Sequence, residues 1–368
     1  MGAYEKLFRP LLFRMDAEDA HHLMISLADS AVVQQLAAAM KRQFCYEDEL
    51  LRTKIGNTFM RNPVGLAAGF DKNAQVVPLL ASLGFGFAEI GSITAQPSMG
   101  NPKPRLFRLP ADEGVINRLG LNGMGAQRVA DRLQEAPAPL PIGVNIAKTN
   151  DAKIEGDKAI EDQIASFMAI RALPLAYVTF NTSCPNTHEG CLQAKDELAA
   201  VLGGMQSANE NCLPLFIKLS PDSTDELLDD FIGVAAEHNV AGFVCGNTSV
   251  TRGGLTTDAK TVEGIGRGGL SGRPIKSLAL TLCRRVAARK RPEQQIIGCG
   301  GISSGADAFE FLQAGCCAVQ LYTGLIYHGP ELIARINREL AAILRQRNLS
   351  VANASGNELN QISSPASP

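Results

Sequence analysis

From Pro63 onward, short apolar runs alternate with longer helix-like stretches. The runs occupy residues 64–70, 87–93, 142–147, 177–182, 215–219, 242–247, 296–301 and 318–323, and many of their residues are β-branched. Most are separated by helix-like segments such as 225–238 and 274–289. Strands alternating with helices predict a parallel sheet, and eight such units predict a closed (β/α)8 TIM barrel of the α/β class. An open dinucleotide-binding sheet is the structural rival, but no Gly-x-Gly-x-x-Gly follows the first strand.

The first 45 residues follow a different pattern. Asp16 is placed to cap a helix, with Asp19 favouring its positive end, and Leu23, Met24, Leu27 and Ala31 follow at helical spacing. Ahead of it, Leu7, Phe8, Leu11 and Leu12 share a face and Lys6, Arg9 and Arg14 add charge, with Pro10 breaking or kinking the segment. Such an amphipathic pair either lies on a membrane surface or packs on the main domain. Residues 55–58 (IGNT) predict a short hairpin leading into the core. Beyond Asn348 the chain is rich in Ser, Asn, Ala and Pro and reads as disordered. The expected organisation is therefore a helical segment at 1–45, a barrel at 46–347 and a tail at 348–368.

The 368 residues are 45% hydrophobic and 20% charged, enough apolar material for one large core. A net charge of -2 without a basic block argues against nucleic acid as a partner. The nine cysteines lack paired CxxC spacing and read as reduced thiols of a cytosolic compartment. No apolar run reaches the roughly 18 residues needed to span a bilayer, so membrane contact is expected to be peripheral.

Chemistry in such barrels sits on the loops after the strands' C-terminal ends. Polar residues cluster there: Gly69, Asp71 and Lys72 after the first run, Ser92 near the second, then a loop at 105–108 reaching Asn117–Gly120. Asn145 lies on the third run, Lys218 on the fifth, and Asn247 and Thr248 end the sixth. After the fourth comes NTSCPN at 181–186, in which Asn181 and Asn186 flank Cys184. Two amides can read the alternating N–H and C=O edge of a pyrimidine-like ring, and a thiol between them can remove a proton from it. A strand cap followed by a proline turn is the plainer alternative for that hexapeptide alone. Glycines at 300–301, 305 and 324, with Gly272 of a turn at 268–274, let backbone approach a phosphate at the usual place in such barrels. Lys72 and Lys218 would then stabilise negative charge on a reduced flavin, and one phosphate grip matches FMN.

Several longer motifs extend this picture: GLAAGFDK at 65–72, GNPKPRLFR at 100–108, NRLG at 117–120, SCPNT at 183–187, GLSGRP at 269–274 and IGCGGI at 297–302. With them the chain resembles the dihydroorotate dehydrogenase family, specifically its membrane-associated class 2, over residues 4 to 340. The resemblance implies that a base takes a proton from C5 of dihydroorotate while C6 passes hydride to FMN, giving orotate for pyrimidine synthesis. It implies Cys184 as base and substrate contacts from Lys72, Asn117, Arg118, Leu119, Gly120, Leu121, Asn181, Asn186, Asn247 and Thr248. FMN contacts are implied for Ala68, Gly69, Phe70, Asp71, Lys72, Ser92, Asn145, Asn181, Lys218, Gly246, Gly272, Gly301, Tyr322 and Thr323. The N-terminal helices would form a tunnel for a membrane quinone, with His21, Arg108 and Tyr322 at its inner end. That places the protein on the cytoplasmic face of the inner membrane.

The chain departs from class 2 at several points. Cys184 replaces the usual serine, Gly246 a threonine and Leu121 a frequent aromatic. Asn122-Gly123 replaces an Asn-Asn pair, and residues 188–191 (HEGC) replace Pro-Gly-Leu. The cysteine is typical of the soluble class 1 enzymes, so a soluble relative using fumarate or NAD is the main rival. A dihydrouridine synthase would need a basic RNA-binding surface that the sequence lacks. A non-catalytic flavin scaffold would leave polar groups in a cleft without purpose.

Overall fold

The computed structural model describes residue 2 and residues 4–136, 138–182 and 195–355. All eight expected runs form strands, in the order that a (β/α)8 barrel requires. Strands β1 (Thr53–Ile55) and β2 (Thr58–Met60) form the expected antiparallel hairpin. The barrel staves are β3 (Val64–Leu66), β4 (Phe87–Ile93), β7 (Ile142–Ile146), β8 (Tyr177–Asn181), β9 (Leu215–Leu219), β10 (Gly242–Cys245), β12 (Gln295–Cys299) and β13 (Ala318–Leu321). Each pairs in parallel with the next, and β13 closes on β3 with Val319 opposite Val64. The hairpin stoppers the N-terminal end. Thr53 donates to the Cys317 carbonyl (2.8 Å), and Gly56 N–H donates to the Gln295 side chain (2.7 Å). Ile55 and Met60 pack there on buried Phe87, Tyr177 and Phe216.

Three strands were not visible in the periodicity. β5 (Leu106–Leu109), β6 (Gly114–Asn117) and β11 (Gly269–Gly272) make an antiparallel sheet, with β6 in the middle. The segments expected as a loop at 105–108 and a turn at 268–274 are therefore mostly strand. Four-residue strands carry little pattern, and β6 finds β11 only across about 150 residues. This sheet sits beside the mouth: Ser271 meets Thr323 at 2.9 Å, and the Tyr327 hydroxyl donates to the Gly114 carbonyl (2.7 Å).

The N-terminal segment is a π-helical turn, Tyr4–Phe8, followed by α1 (Arg9–Leu12), α2 (Ala17–Ala28) and α3 (Ala31–Phe44). Asp16 caps α2 as expected, accepting from Glu18 N–H (2.8 Å) and Asp19 N–H (3.2 Å). Pro10 does not break the segment: it lies in the first turn of α1, where its missing N–H is not needed. Glu18 on α2 is only 3% exposed and pairs with Arg105, 7% exposed, at 2.7 Å. Arg105 also donates to the carbonyls of Met99 (2.6 Å) and Asn101 (2.7 Å). Asn101 in turn donates to the Arg118 carbonyl (2.9 Å), so α2 is tied to the segment before β5 and to the chain after β6.

Part of the segment expected as a disordered tail, 348–368, is ordered. A short helix, Val351–Ala354, follows a Ser350 cap, and Val351 and Ala352 are buried. Two apolar residues suffice to dock that turn, a signal that the surrounding polar composition masks. Residues 356–368 lie outside the described chain.

Candidate active site

Two adjoining cavities open at the C-terminal ends of the staves. The first is lined by Ala67, Ala68, Gly272, Gly300, Gly301, Gln320, Tyr322, Thr323 and Gly324. The second is lined by Gly69, Lys72, Ser92, Asn117, Leu119, Gly120, Leu121, Asn181 and Ser271. Lys218, Asn247 and Thr248 face both. Residues from β3 to β13 thus converge on one cleft, as the polar strand ends predicted.

Neighbouring chain packs directly on the glycines of the first cavity. A Cβ on Gly301 (φ +71°) would come within 2.6 Å of Lys276 Cβ, and one on Gly272 (φ +95°) within 2.3 Å of the Glu113 carbonyl. These glycines let neighbouring segments close on one another, and they leave backbone at the cavity wall. Gln320 lines the same cavity, and its Oε1 is buried with no hydrogen-bond partner among the described residues. Such an orphaned acceptor fits a ligand that brings a donor. Of the glycines expected at the phosphate, Gly305 lies elsewhere: its N–H donates to Glu339 (2.7 Å), at the start of the helix Gly305–Gln313 that Ser304 caps.

In the second cavity Lys72 donates to Asn122 Oδ1 (3.0 Å). Burial first, and then the charge of Arg105, pull the Lys72 ammonium down to about 8. Leu121 holds a left-handed backbone (φ +56°), a costly conformation for a branched side chain that presents it to the cleft. Asn181 Nδ2 donates to Ser92 Oγ (3.1 Å), and Asn247 Nδ2 donates to Asn181 Oδ1 (3.2 Å). Ser92 Oγ donates to Asn145 Oδ1, and Asn145 Nδ2 to Glu89 Oε1 (2.8 Å).

Some expected contacts lie elsewhere. Asp71 accepts from Gln75 and Val76 N–H, both at 2.8 Å, and shapes the loop from behind; burial raises its pKa despite those bonds. The Arg118 guanidinium clamps the carbonyls of Ile265 (2.6 Å) and Arg267 (3.0 Å) and stacks on Phe107. Gly246 packs against the Cys299 carbonyl, where a Cβ would stand 1.7 Å away, so no side chain fits this backbone. Cys184 and Asn186 lie outside the described residues.

Behind the cleft is an apolar slot roofed by α1, α2 and α3 and floored by Val76, Leu79, Leu80 and Leu83. His21 and Arg108 line it, as does Phe70, which faces the slot and not the polar cleft. Phe70 stacks edge-on with His21 (5.1 Å) and with Tyr322 (5.3 Å). Burial, followed by the Lys72 charge, drives His21 down to about 3, and burial raises the Tyr322 hydroxyl above its ordinary value. Arg108 donates to the Met15 carbonyl (2.9 Å) and lies over Phe13. Leu106, Val115, Tyr322 and Ile326 line both the cleft and the slot. One layer of side chains separates them.

Sequence reasoning missed Glu89, Gln320 and Ser271. A visible signal existed for Glu89: a lone acid in an otherwise apolar buried run, 87–93, is rarely left inside without partners.

A (β/α)8 barrel with a polar, glycine-walled cleft backed by an apolar slot is the layout of an enzyme. The profile of the dihydroorotate dehydrogenase family matches residues 50–344. Dihydroorotate dehydrogenase (quinone) of Thermobifida fusca is 40% identical over 376 residues, covering 99% of this chain and 98% of that protein. The enzyme of the same name from Gloeobacter violaceus is 40% identical over 343 residues, 93% of this chain and 95% of that one. Among solved structures, DHODH of Eimeria tenella in complex with ferulenol superposes with a TM-score of 0.79 at 32% identity, covering 94% of this chain and 96% of that one. The chain belongs to the dihydroorotate dehydrogenase family, a family of flavin-dependent oxidoreductases.

Proposed function

We propose that this chain oxidises (S)-dihydroorotate to orotate in de novo pyrimidine synthesis, with FMN in the cleft and a quinone in the slot. The observation that carries this reading is the shared wall of Leu106, Val115, Tyr322 and Ile326 between a polar and an apolar chamber. FMN bound in the cleft supplies a two-electron acceptor that takes hydride from one substrate and passes electrons to the other. Gly272, Gly301 and Thr323 would hold its phosphate, and Gln320 Oε1 offers an acceptor to its donors. Lys218 would face developing negative charge.

Dihydroorotate carries a carboxylate and a ring edge of alternating donors and acceptors. Lys72 supplies the positive charge, and Asn117, Asn181, Asn247 and Thr248, with Asn186, supply amides and a hydroxyl to read the edge. Cys184 Sγ takes the C5 proton. An unperturbed thiol has a pKa of about 8.5, so a few per cent is thiolate at pH 7, and the thiolate accepts the proton without a relay.

No helix among the described residues is long and apolar enough to cross a membrane. Leu7, Phe8, Leu11, Leu27 and Leu36 nonetheless stand about half or more exposed around the slot's roof, beside Lys6, Arg9 and Arg14. That surface suits contact with the inner membrane's cytoplasmic face, from which a quinone would enter. Oxidation of dihydroorotate measured side by side with a soluble quinone, fumarate and NAD tests the reading. Turnover with quinone is expected; turnover with fumarate or NAD alone would replace it with a soluble-type enzyme.

A further inference from the structure

Beneath the cleft, inside the barrel, the side chain of Glu89 on β4 is fully buried. Its Oε1 accepts from Asn145 Nδ2 (2.8 Å) and faces Lys218 Nζ at 3.5 Å. Its Oε2 accepts from Gln320 Nε2 (2.7 Å), the Tyr177 hydroxyl (3.1 Å) and Thr179 Oγ1 (3.2 Å). The donors come from β7, β8, β9 and β13, so one carboxylate ties together five staves.

A carboxylate only accepts hydrogen bonds, and this fixes the direction of everything attached to it. Asn145 must turn its NH2 to Glu89, which leaves its carbonyl for Ser92. The Ser92 hydroxyl must then donate to Asn145, which leaves its lone pairs for the Asn181 NH2. Asn181 Oδ1 in turn accepts from Asn247 Nδ2, and Asn247 Oδ1 accepts from Thr248 N–H. An asparagine is nearly symmetric in shape, so its orientation is set by what its ends meet: the Thr248 N–H fixes Asn247 from the outer end of the row, and Glu89 fixes Asn145 and Ser92 from the inner end. We propose that Glu89 is a positioning residue that sets the orientation of Asn145 and Ser92, the inner half of this row, and anchors Lys218. It touches neither ligand; it keeps the Ser92 lone pairs turned to the Asn181 amide and holds the Lys218 ammonium in place.

The proposal rests on the flavin and dihydroorotate reading of the cleft. Its test is Glu89→Gln, which keeps the shape but lets the terminal group donate as well as accept. FMN release from holoprotein, followed by fluorescence on dilution, and orotate titration, followed by flavin absorbance, are the readouts. Both dissociation constants are expected to rise about tenfold or more, the worth of one hydrogen bond to a charged group. Tyr177→Phe removes one donor to Glu89 outside the cleft and should move both constants the same way by a few-fold. If Glu89→Gln does not fold, Tyr177→Phe alone decides. Constants within twofold of wild type in the folded variants, or weakened FMN with unchanged orotate, overturn the proposal. A merely structural role lowers the melting temperature and leaves both constants alone. Wild-type protein that holds no FMN or orotate would remove the functional reading itself, and this proposal with it.

Discussion

The cleft and the slot lie back to back on Tyr322 and are built on opposite terms. In the cleft, Lys72, Asn181 and Asn247 are each held by a named neighbour, and the row behind them ends on a buried carboxylate. In the slot, Ala20, Met24, Leu27, Leu79 and Leu325 offer shape and little else, and His21 is kept uncharged. A polar ring has to be met atom by atom, because each unmatched donor or acceptor costs its desolvation. An apolar electron acceptor needs only volume and nearness. The cleft should therefore be intolerant of single atoms, and the slot tolerant of anything but bulk.

The most severe test of that contrast is Cys184→Ala. Anaerobic flavin reduction by dihydroorotate, followed by stopped flow, should slow by roughly two to four orders of magnitude, the usual worth of a positioned base. FMN content and orotate binding should persist. Cys184→Ser is the control, and near-normal rates with unchanged pH dependence would show the thiol to be incidental.

Next comes the contact that joins the two regions. Glu18→Ala leaves Arg105 buried without its carboxylate and should cost about 3 kcal/mol in urea unfolding. Burial raises the Glu18 pKa, but hydrogen bonds from Arg105 and its charge outweigh this and hold it below the usual range. The pair's stabilisation is thus present at neutral pH and lost as the pH falls through that lowered value. Because Arg105 also holds Asn101, the KM for dihydroorotate should rise as well. An unchanged KM would mean that the helical segment roofs the slot without steadying the cleft.

Filling the slot should separate the half-reactions. Ala20→Trp should cut quinone-dependent turnover roughly 10- to 100-fold, the range over which pocket size discriminates. Flavin reduction by dihydroorotate should stay near wild type, and a parallel fall in both would erase the division into two chambers. A gentler probe is pH. With Lys72 near 8, dihydroorotate affinity should fall above that pH as the ammonium is lost, by no more than about tenfold per unit. A bound carboxylate raises the ammonium's pKa in the complex, and the fall levels off at that higher pH. The smallest effect concerns His21, which at about 3 stays neutral, so quinone reduction should show no step between pH 5 and 8.

Much of this was legible in the chain because buried staves are short, apolar and β-branched, and because polar residues at their ends break the pattern abruptly. Asn145, Lys218 and Asn247 stood out for that reason. Asp71 and Arg118 stood out equally, yet their side chains turn to backbone partners; sequence marks a polar residue at a strand end without giving its direction. Glu89 escaped because its partners are spread over four other strands, and β11 because it exists only by pairing with β6.

The closure of β13 on β3 has a consequence for how the protein is made. Val64 must wait for Val319, about 250 residues later, which at 5–20 residues per second is roughly 10 to 50 s of synthesis. Over that interval the helical segment has left the ribosome, while Leu325 and Ile326, which wall the slot beneath it, do not yet exist. The nascent chain therefore carries an apolar roof without a room and an open strand edge, a template for pairing with other chains. A surface that receives those first helices early, whether bilayer or chaperone, would shelter the chain until its last staves arrive.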